Sequence, residues 1–464
     1  MSLIKSISGI RGTIGGRPGE GLTPIDVVKF TAAYGTWVLE QTGNPTVVIG
    51  RDARLSGDMV SRLVAATLQG LGISVIDLGL STTPTVEFAV PRENAGGGII
   101  LTASHNPTQW NALKLLNAVG EFISDEEGKA ILAKAETEDF TFAEVRKLGK
   151  YTEISDYMDR HIQHVLDLEL VDAAAIKARN FKIVVDAVNS TGGIVIPKLL
   201  RALGVTEIEE LYCEPDGNFA HNPEPLPENL RDISKKLEKG SFDLGIVVDP
   251  DVDRLALVNE DGSMFGEEYT LVAVADYVLS QTPGNTVSNL SSTRALRDVT
   301  EKRGGTYTAS AVGEVNVVNQ MKAVQAVIGG EGNGGIIYPT SHYGRDALVG
   351  IGLFLTHLAK YGKSISMLRA TYPNYYISKN KIELTPNLDV DDILLKIKDQ
   401  YKNHPINDSD GVKIEFEKEW VHLRKSNTEP IIRIYSESDS EAKAEHLAKK
   451  IMQDIKEVVN ATLD

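Results

Sequence analysis

The chain has 464 residues, of which 42% are hydrophobic and 24% are charged, an ordinary globular composition with room for about three domains and a small fourth. Lysine and arginine total 48 against 64 aspartates and glutamates, and the resulting formal charge of −16 excludes broad binding to nucleic acid or to an anionic membrane surface. Cys213 is the only cysteine, so an intrachain disulfide and a cysteine-based zinc site are both excluded.

The N-terminal segment lacks the basic, apolar and small-residue order of a signal peptide, because Arg11, Arg17 and Glu20 interrupt any apolar run. No stretch of about 18 uncharged apolar residues is present, as a membrane helix would need. These patterns predict a cytoplasmic protein that neither enters a membrane nor binds nucleic acid.

Short apolar runs alternate with longer runs of helical period, which indicates βαβ units and mostly parallel sheets. Predicted strands end at polar loops in three successive units, at 99–101, 244–248 and 326–330. After Pro373 the pattern changes to alternating strands at 412–416 and 431–435 and a final helix over 441–459. We therefore predict an α/β protein with three similar α/β domains of mixed, mostly parallel sheets and a smaller C-terminal α+β domain. The predicted boundaries are 1–150, 151–260, 261–370 and 371–464.

The loop after the second unit's strand reads DPDVDR over 249–254. If it is extended, Asp249, Asp251 and Asp253 point to one side and repel one another unless a cation lies among them. Oxygen-only ligands favour Mg²⁺. A solvated acidic turn is the alternative. A haloacid-dehalogenase phosphatase also has Asp-x-Asp after a strand, but it expects Thr at the position of Asp253.

The loop TASHNP over 102–107 places a hydroxyl nucleophile, Ser104, at the end of a strand. In extended chain Ser104 and His105 point apart and form no dyad, and no G-x-S-x-G elbow is present. A serine that carries a phosphoryl group near a metal fits better. The alternative is a simple turn before Pro107.

Two further loops, GEGNGG over 330–335 and RKSNTEP over 424–430, offer close backbone approach and hydroxyl, amide and guanidinium donors. Taken alone, each is more typical of a turn or a hairpin connection. Because each of the four units contributes one such loop, we expect the four domains to surround a central cleft.

Together, these four motifs resemble those of the α-D-phosphohexomutases, in that family's order and spacing. SGIRG at 8–12, GRDAR at 50–54, NALK at 111–114 and PDGNF at 215–219 add to the resemblance, which covers essentially the whole chain. It implies three similar α/β domains, a smaller fourth domain, and transfer of a phosphoryl group between O1 and O6 of a hexose phosphate.

The resemblance also implies residue roles. Ser104 would be the phosphoserine and would bind Mg²⁺ together with Asp249, Asp251 and Asp253. The other catalytic residues would be Arg11, His105, Lys114 and Arg254, with Lys114 a candidate general acid or base. Residues implied in substrate binding are Glu331, Asn333, His342, Arg345, Arg424, Ser426, Asn427, Thr428 and Arg433. A hexose 1,6-bisphosphate would be the activator, and the protein would be a monomer or a homodimer.

This chain departs from many relatives at Gly335 and Glu314, where other members carry His, and at Val252, where Gly or Ala is commoner. The general acid or base is therefore left open, with His342 as a partial replacement. Similarity to phosphoglucosamine mutases favours glucosamine phosphate as substrate. Glucose or mannose phosphate is the close alternative, and a Mg²⁺-dependent sugar phosphatase and an idle sugar-phosphate sensor are remoter ones.

Overall fold

The computed structural model describes residues 2–6, 9–383, 388–425 and 431–463. In the first unit these form β1 (Leu3–Ser6), β2 (Gly9–Thr13), α1 (Pro24–Thr42), β3 (Thr46–Arg51), α2 (Gly57–Gly70), β4 (Ser74–Leu80), α3 (Thr83–Arg92), β5 (Gly97–Leu101), β6 (Trp110–Leu116), α4 (Asp125–Thr137) and β7 (Tyr151–Glu153). The strands make one sheet of order β1-β2-β6-β5-β3-β4-β7. The pairs among β5, β3, β4 and β7 are parallel, and the other pairs are antiparallel.

The second unit contains α5 (Tyr157–Leu166), α6 (Ala173–Arg179), β8 (Lys182–Asp186), α7 (Gly192–Ala202), β9 (Glu207–Leu211), α8 (Arg231–Lys239), β10 (Leu244–Val248) and β11 (Leu255–Asn259). The third contains α9 (Glu267–Gln281), β12 (Asn285–Asn289), α10 (Ala295–Lys302), β13 (Tyr307–Ser310), α11 (Glu314–Ala323), β14 (Ala326–Glu331), β15 (Gly335–Ile337), α12 (Ala347–Tyr361) and α13 (Ile365–Arg369). Their sheets have the orders β11-β10-β8-β9 and β15-β14-β12-β13, each with one antiparallel pair followed by two parallel pairs.

The strands β6-β5-β3-β4 of the first sheet repeat the same pattern of one antiparallel and two parallel pairs. The fourth unit differs, with β16 (Tyr376–Glu383), α14 (Val390–Gln400), β17 (Ile406–Asn407), β18 (Val412–Glu415), β19 (Trp420–Lys425), β20 (Ile431–Ser438) and α15 (Glu441–Leu463). All pairs in its sheet are antiparallel. The predicted fold class of three similar α/β domains and a C-terminal α+β domain is confirmed.

The buried hydrophobic residues form cores that do not all follow the boundaries between units. The second and third units share one continuous core, in which α5 and α7 meet α9 and α12. The first and fourth units have separate cores of their own. Among the helices of the described residues, none is long and apolar enough to cross a membrane.

The strand ends meet because backbone hydrogen bonds join three units at the loop after β10. The N–H of Thr83, at the start of α3, donates to the Asp251 carbonyl over 2.9 Å, and the N–H of Ala347 donates to the Val252 carbonyl over 3.3 Å. The N–H of Leu255 donates to Gly334 of the loop after β14 over 3.0 Å. The loops at 102–107, 249–254 and 330–335 are thus brought to one place.

The first and second units also touch where Gly217 approaches the loop after β3. Gly217 has a φ of +75°, and a Cβ built on it would lie 2.0 Å from the Ala53 carbonyl oxygen. No side chain fits in that space, so the two loops can be this close only because residue 217 is glycine.

We expect Gly217→Ala to lower the free energy of unfolding by more than the roughly 1–2 kcal/mol that positive φ alone costs an alanine, because it also pushes the two loops apart. Gly362→Ala is the matched control, since Gly362 has a φ of +77° with nothing within 4 Å of a built Cβ. Urea unfolding of both variants measures the difference. Equal losses would contradict the close-contact explanation.

Candidate active site

The loop after β10 is a turn, so the extended conformation that would have aligned the three carboxylates by alternation is not present. Val252 adopts a left-handed φ of 64°, and its N–H donates to the Asp249 carbonyl over 3.1 Å. The carboxylates of Asp249, Asp251 and Asp253 nevertheless converge, because each offers an oxygen within 4.8 Å of the others. The turn brings together the three groups that alternation along a strand was expected to align.

Burial and mutual repulsion set the charge state of these carboxylates. Burial, with the charges of Asp253 and Asp251, raises the pKa of Asp249 well above its usual range. Burial also acts on Asp251, but the Lys114 ammonium, 2.7 Å from its Oδ2, and the Thr83 hydroxyl outweigh that effect and hold the pKa of Asp251 below its usual range. The three carboxylates therefore repel one another, and the cations beside them do not balance their charge.

Two of the carboxylate oxygens have no partner. Oδ1 of Asp251 and Oδ1 of Asp253 are buried and form no hydrogen bond, although unpaired buried carboxylate oxygens are costly. Together with Asp249 they make an all-oxygen donor set, which suits a hard divalent cation such as Mg²⁺. The residues present thus fit the metal that the sequence implied.

Ser104 lies at the edge of this carboxylate group. Its hydroxyl donates to Oδ2 of Asp249 over 2.9 Å, and its N–H donates to Oγ1 of Thr102 over 2.9 Å. Its φ of 49° is a left-handed conformation that a non-glycine residue adopts at some cost, and such strain is concentrated at functional sites. The hydroxyl of a residue with a strained backbone therefore faces the candidate metal site.

The turn at Ser104 also changes the position of His105. Because Ser104 is not extended, the His105 ring lies with Nδ1 3.4 Å from the Ser104 Oγ, and the expectation that the two side chains point apart is wrong. Burial, followed by the charges of Arg254 and Arg11, lowers the pKa of His105 to about 2. The ring is therefore neutral beside the hydroxyl and is a weak base.

Lys114 and Arg11 approach from the first unit, as the sequence implied. Burial works against the Lys114 ammonium, but Asp251 and Asp253 outweigh it and raise the pKa of Lys114. The Arg11 guanidinium donates to Oδ1 of Asn106 over 2.9 Å, and its pKa is lowered, chiefly by burial. Lys114 is thus an ammonium at neutral pH, which suits an electrostatic partner or an acid better than a base.

Arg254 and Arg345 differ in how many carboxylates their guanidinium groups contact. The N–H of Arg254 donates to Oδ1 of Asp249 over 3.1 Å, while its guanidinium lines the cleft. The guanidinium of Arg345 is occupied by three carboxylates, those of Asp253 at 2.7 Å, Glu331 at 3.0 Å and Glu314 at 3.0 Å. These contacts support a role for Arg345 in positioning the metal loop against the sugar loop, in place of the direct substrate contact that the sequence implied.

A polar cavity of about 250 Å³ opens beside these loops. Of the predicted substrate residues, its walls include Glu331, Asn333, Arg424 and Arg433. Other members of its lining were not predicted: Glu224, Glu267, Glu268, Asn289, Ser291, Ser292, Val312, Gly332, Lys379, His422 and Tyr435. Ser426, Asn427 and Thr428 lie outside the described residues.

The loop carrying Glu331 is held by several of those additional residues. The Asn289 amide donates to Oε1 of Glu331 over 2.9 Å, and the N–H of Gly332 donates to the Ser292 hydroxyl over 3.0 Å. Oδ1 of Asn333 accepts the N–H of Gly335 over 3.2 Å. The fourth unit is joined to the third through Asp410, whose Oδ2 accepts the N–H of Val312 over 2.9 Å and also lies 2.9 Å from Nε of Arg424.

His342 does not point into this cavity. Its Nε2 lies 3.0 Å from Oδ2 of Asp346 and its Nδ1 lies 3.6 Å from Oε2 of Glu87. Glu314, which stands where relatives carry His, is bound to Arg345. His422, from the fourth unit, is the only histidine among the described residues that line the cavity.

Arg54 is a site residue whose role the sequence did not reveal. It is buried, pairs with Asp52 at 3.0 Å, and Asp52 in turn accepts the Thr102 hydroxyl over 2.7 Å. Its guanidinium donates to four backbone carbonyls of the loop after β5, those of Ser104, Asn106, Pro107 and Trp110. The motif GRDAR at 50–54 marked this position, but only the fold shows that the guanidinium clamps the loop.

We expect Arg54→Lys to raise amide hydrogen exchange in the 104–110 loop by about tenfold or more, because a lysine cannot replace this set of charged hydrogen bonds, each worth about 1.5–3 kcal/mol. Arg62→Lys is the control, since Arg62 pairs with Asp58 on the exposed surface. Unchanged protection of the loop in Arg54→Lys would show that the clamp does not hold it.

Comparison with known proteins gives consistent matches along the chain. Family models of phosphoglucomutase/phosphomannomutase match in four parts, with alpha/beta/alpha domain I over residues 3–142, domain II over 159–262, domain III over 266–375 and the C-terminal domain over 385–454. The chain is 35% identical over 441 residues to a phosphoglucomutase/phosphomannomutase of Thermococcus kodakarensis, covering 93% of this chain and 95% of that protein.

It is 31% identical to a phosphoglucosamine/phosphogalactosamine mutase of Sulfurisphaera tokodaii, covering 99% of each chain. A solved structure of a phosphoglucomutase/phosphomannomutase family protein from Burkholderia thailandensis superposes with a TM-score of 0.85 at 27% identity, covering 99% of this chain and 97% of that one. Matches to all four domains, and relatives that span nearly the whole chain, show that this protein belongs to the α-D-phosphohexomutase family of phosphotransferring isomerases.

Proposed function

We propose that this phosphohexomutase moves a phosphoryl group between O6 and O1 of a hexose phosphate through a phosphorylated Ser104, with glucosamine 6-phosphate and glucosamine 1-phosphate as its preferred pair. One observation carries the mechanism. The Ser104 hydroxyl lies 2.9 Å from Asp249, at the edge of a buried carboxylate group in which two oxygens have no partner. A hydroxyl beside an all-oxygen donor set is what phosphoryl storage next to a divalent cation requires.

In the forward half of the cycle, a sugar hydroxyl attacks the phosphorus of phosphoserine 104. A bond forms between that oxygen and phosphorus while the bond from phosphorus to the Ser104 Oγ breaks. The sugar hydroxyl loses its proton, and the released Ser104 Oγ takes one up, so no net proton is lost. The product is a hexose 1,6-bisphosphate. After it turns around in the cleft, the Ser104 hydroxyl loses its proton and its Oγ attacks the other phosphate. The bond from that phosphorus to the sugar oxygen breaks, the sugar oxygen takes up a proton, and the isomeric monophosphate is released from a serine that is phosphorylated again.

The chain's own residues supply positioning and charge for these steps. Lys114 and Arg11 neutralise charge on the phosphoryl oxygens, and the Arg54 clamp fixes the Ser104 backbone. Asp249, Asp251, Asp253 and Ser104 would hold Mg²⁺, which when bound stabilises the negative charge of the transferring group. Because the resting enzyme must carry phosphate, a hexose 1,6-bisphosphate is the expected activator.

The fourth unit would hold the phosphate that is not reacting. Arg424, Arg433 and Lys379 line the cavity, and guanidinium groups suit phosphate oxygens. A phosphate clamp apart from the reacting serine would accept either end of the sugar, as two successive transfers to O1 and O6 require.

Glu268 supports glucosamine as the sugar. The other three cavity glutamates, Glu224, Glu267 and Glu331, each have a lysine or arginine partner. Among the described residues no cation lies within ion-pair distance of Glu268, which accepts the N–H of Thr293 over 2.9 Å. Burial is the main reason that its pKa rises to about 8, and the charge of Lys379 opposes that rise only in part. An ammonium group on the sugar would supply the charge that this carboxylate lacks.

We expect Ser104→Ala to lower kcat by on the order of 10³-fold or more and to abolish incorporation of phosphate, because removing a nucleophile leaves only residual catalysis from the rest of the site. Ser409→Ala, at an exposed position, is the control. Turnover is measured with hexose 1,6-bisphosphate present, and phosphate on the protein by mass spectrometry. Near-normal turnover in Ser104→Ala would eliminate the phosphoserine mechanism.

Phosphorus NMR with Mg²⁺, a trace of the bisphosphate and, in separate tubes, glucosamine, glucose and mannose phosphates tests the substrate. We expect interconversion of the 1- and 6-phosphates to be fastest for glucosamine. Glu268→Gln should reduce its preference over glucose by about tenfold, since a charged hydrogen bond is worth about 1.5–3 kcal/mol.

Glu267→Gln is the matched control, because Glu267 lines the same cavity but is paired with Lys379 at 2.7 Å, so it should affect both sugars alike. Faster turnover of glucose or mannose phosphate would show that this sugar phosphate, and not glucosamine phosphate, is the preferred substrate. Release of inorganic phosphate without isomerisation would identify a phosphatase and withdraw the role given to Ser104.

A further inference from the structure

A second cluster of metal-ligating side chains lies apart from the aspartate group. His161 on α5, His342, and Asp346 just before α12 offer ring nitrogens and a carboxylate oxygen that lie within 4.8 Å of one another. Oδ2 of Asp346 is 2.9 Å from Nε2 of His161 and 3.0 Å from Nε2 of His342. The side chains of His161, Asp346 and His342 are only 0%, 2% and 13% exposed. The cluster is therefore buried and nearly closed.

Residues of α3 lie beside the second ring nitrogen of both histidines. Nδ1 of His161 lies 3.0 Å from the Thr85 hydroxyl. Nδ1 of His342 lies 3.6 Å from Oε2 of Glu87, an ion-pair contact that is not a hydrogen bond. Metal-binding histidines in proteins are usually oriented in this way, with the outer nitrogen held by a polar group and the inner one facing the ion. The two Nε2 atoms face the same Asp346 oxygen.

Asp346 is itself fixed in place. Its Oδ1 caps α12 by accepting the N–H groups of Leu348 at 2.8 Å and Val349 at 3.2 Å. Oδ2 is thereby aimed at the two histidines and is shared by them alone. One carboxylate oxygen thus has a structural task, and the other remains for a ligand.

Glu87 is the observation that the hydrogen bonds do not explain. Both of its carboxylate oxygens are buried and form no hydrogen bond. Room for it exists because residue 344 is glycine, where a Cβ would lie 2.0 Å from Oε2 of Glu87. Two buried carboxylates, Glu87 and Asp346, therefore face two imidazoles, and a cation among them would offset the negative charge.

We propose that His161, His342 and Asp346 bind a divalent transition-metal ion, Zn²⁺, through the two Nε2 atoms and Oδ2, with Thr85 and Glu87 orienting the histidines. Two imidazoles and one carboxylate form a donor set typical of zinc, whereas the all-oxygen aspartate group suits Mg²⁺. The charge of the ion balances Glu87 and Asp346. Two protons on the histidines are the competing way to balance them, so metal uptake would release protons.

Such an ion would join parts of the chain that surround the active cleft. His161 lies on α5 of the second unit, His342 and Asp346 belong to the third, and Thr85 and Glu87 lie on α3 of the first. Thr83, at the start of α3, holds the backbone of Asp251. The ion would therefore fasten α3 behind the metal loop, which is a structural task independent of the proposed reaction.

Co²⁺ titration of the full-length protein, stripped of transition metals and saturated with Mg²⁺, tests the proposal. We expect one equivalent of Co²⁺ to bind with the visible absorption of a low-coordinate site with nitrogen ligands, and Zn²⁺ to displace it. His161→Gln should lose this equivalent. His164→Gln should keep it, because His164 lies on the same helix but contacts Ser341 at 3.0 Å outside the cluster.

Glu87→Gln leaves all three ligands in place and should weaken Co²⁺ binding by about 10- to 100-fold, which keeps the test informative if His161→Gln folds poorly. Calorimetry in two buffers of different ionisation enthalpy should show that protons are released on binding. Absence of a stoichiometric Co²⁺ band in the wild-type protein, or equal binding by wild type and Glu87→Gln, would overturn the proposal and leave the cluster charged by protons.

Discussion

Buried negative charge at the end of β10 is the constraint on which the rest of the site depends. Asp249, Asp251 and Asp253 are fully buried, and charges removed from water must be paired or they shift their protonation. Lys114 and Arg345 supply cations from the first and third units. Because Arg345 also pairs with other carboxylates, the negative charge at the site exceeds the positive charge. A divalent cation can balance this excess, and a phosphoryl group can then be accommodated beside the cation.

This requirement explains why the units must meet where they do. A carboxylate group on one isolated α/β unit would face water and would need no partner from elsewhere. Here the cations come from β6 and from the segment before α12, so the site is complete only when three sheets present their strand ends to one another. The continuous core shared by the second and third units holds these two units together. The hydrogen bond from Thr83 to Asp251 joins the first unit to them.

The strands and the loops that carry function could be predicted from the sequence, since buried strands such as Leu244–Val248 read as continuous apolar runs. The loop conformations could not. The side-chain directions considered for the metal loop and the serine loop assumed an extended chain, yet Val252 and Ser104 are left-handed. A positive φ at a valine or a serine is imposed by contacts with distant segments, and nothing in the local pattern signals it.

Roles that depend on the direction of a long side chain were also beyond the sequence. Arg54 reaches carbonyls fifty or so residues further along the chain, and Glu268 on α9 accepts the N–H of Thr293 from the loop before α10. The family resemblance implied that Arg345 binds substrate, whereas its guanidinium is surrounded by protein carboxylates. Residue identity and spacing predict which groups reach the cleft better than they predict which partner each group binds.

The two strained residues show how precision at the site is obtained. Left-handed conformations at Ser104 and Val252 cost of order 1–3 kcal/mol each, and separate contacts outweigh that cost. Arg54 and Thr102 hold the serine, and the Val252 side chain is packed in the core of the second and third units. A glycine at 252 would relieve the strain but would leave the turn without that anchor. Since a displacement of about 1 Å can cost phosphoryl transfer a factor of about 10², a valine that is strained and packed serves the metal loop better than a glycine that is free to move.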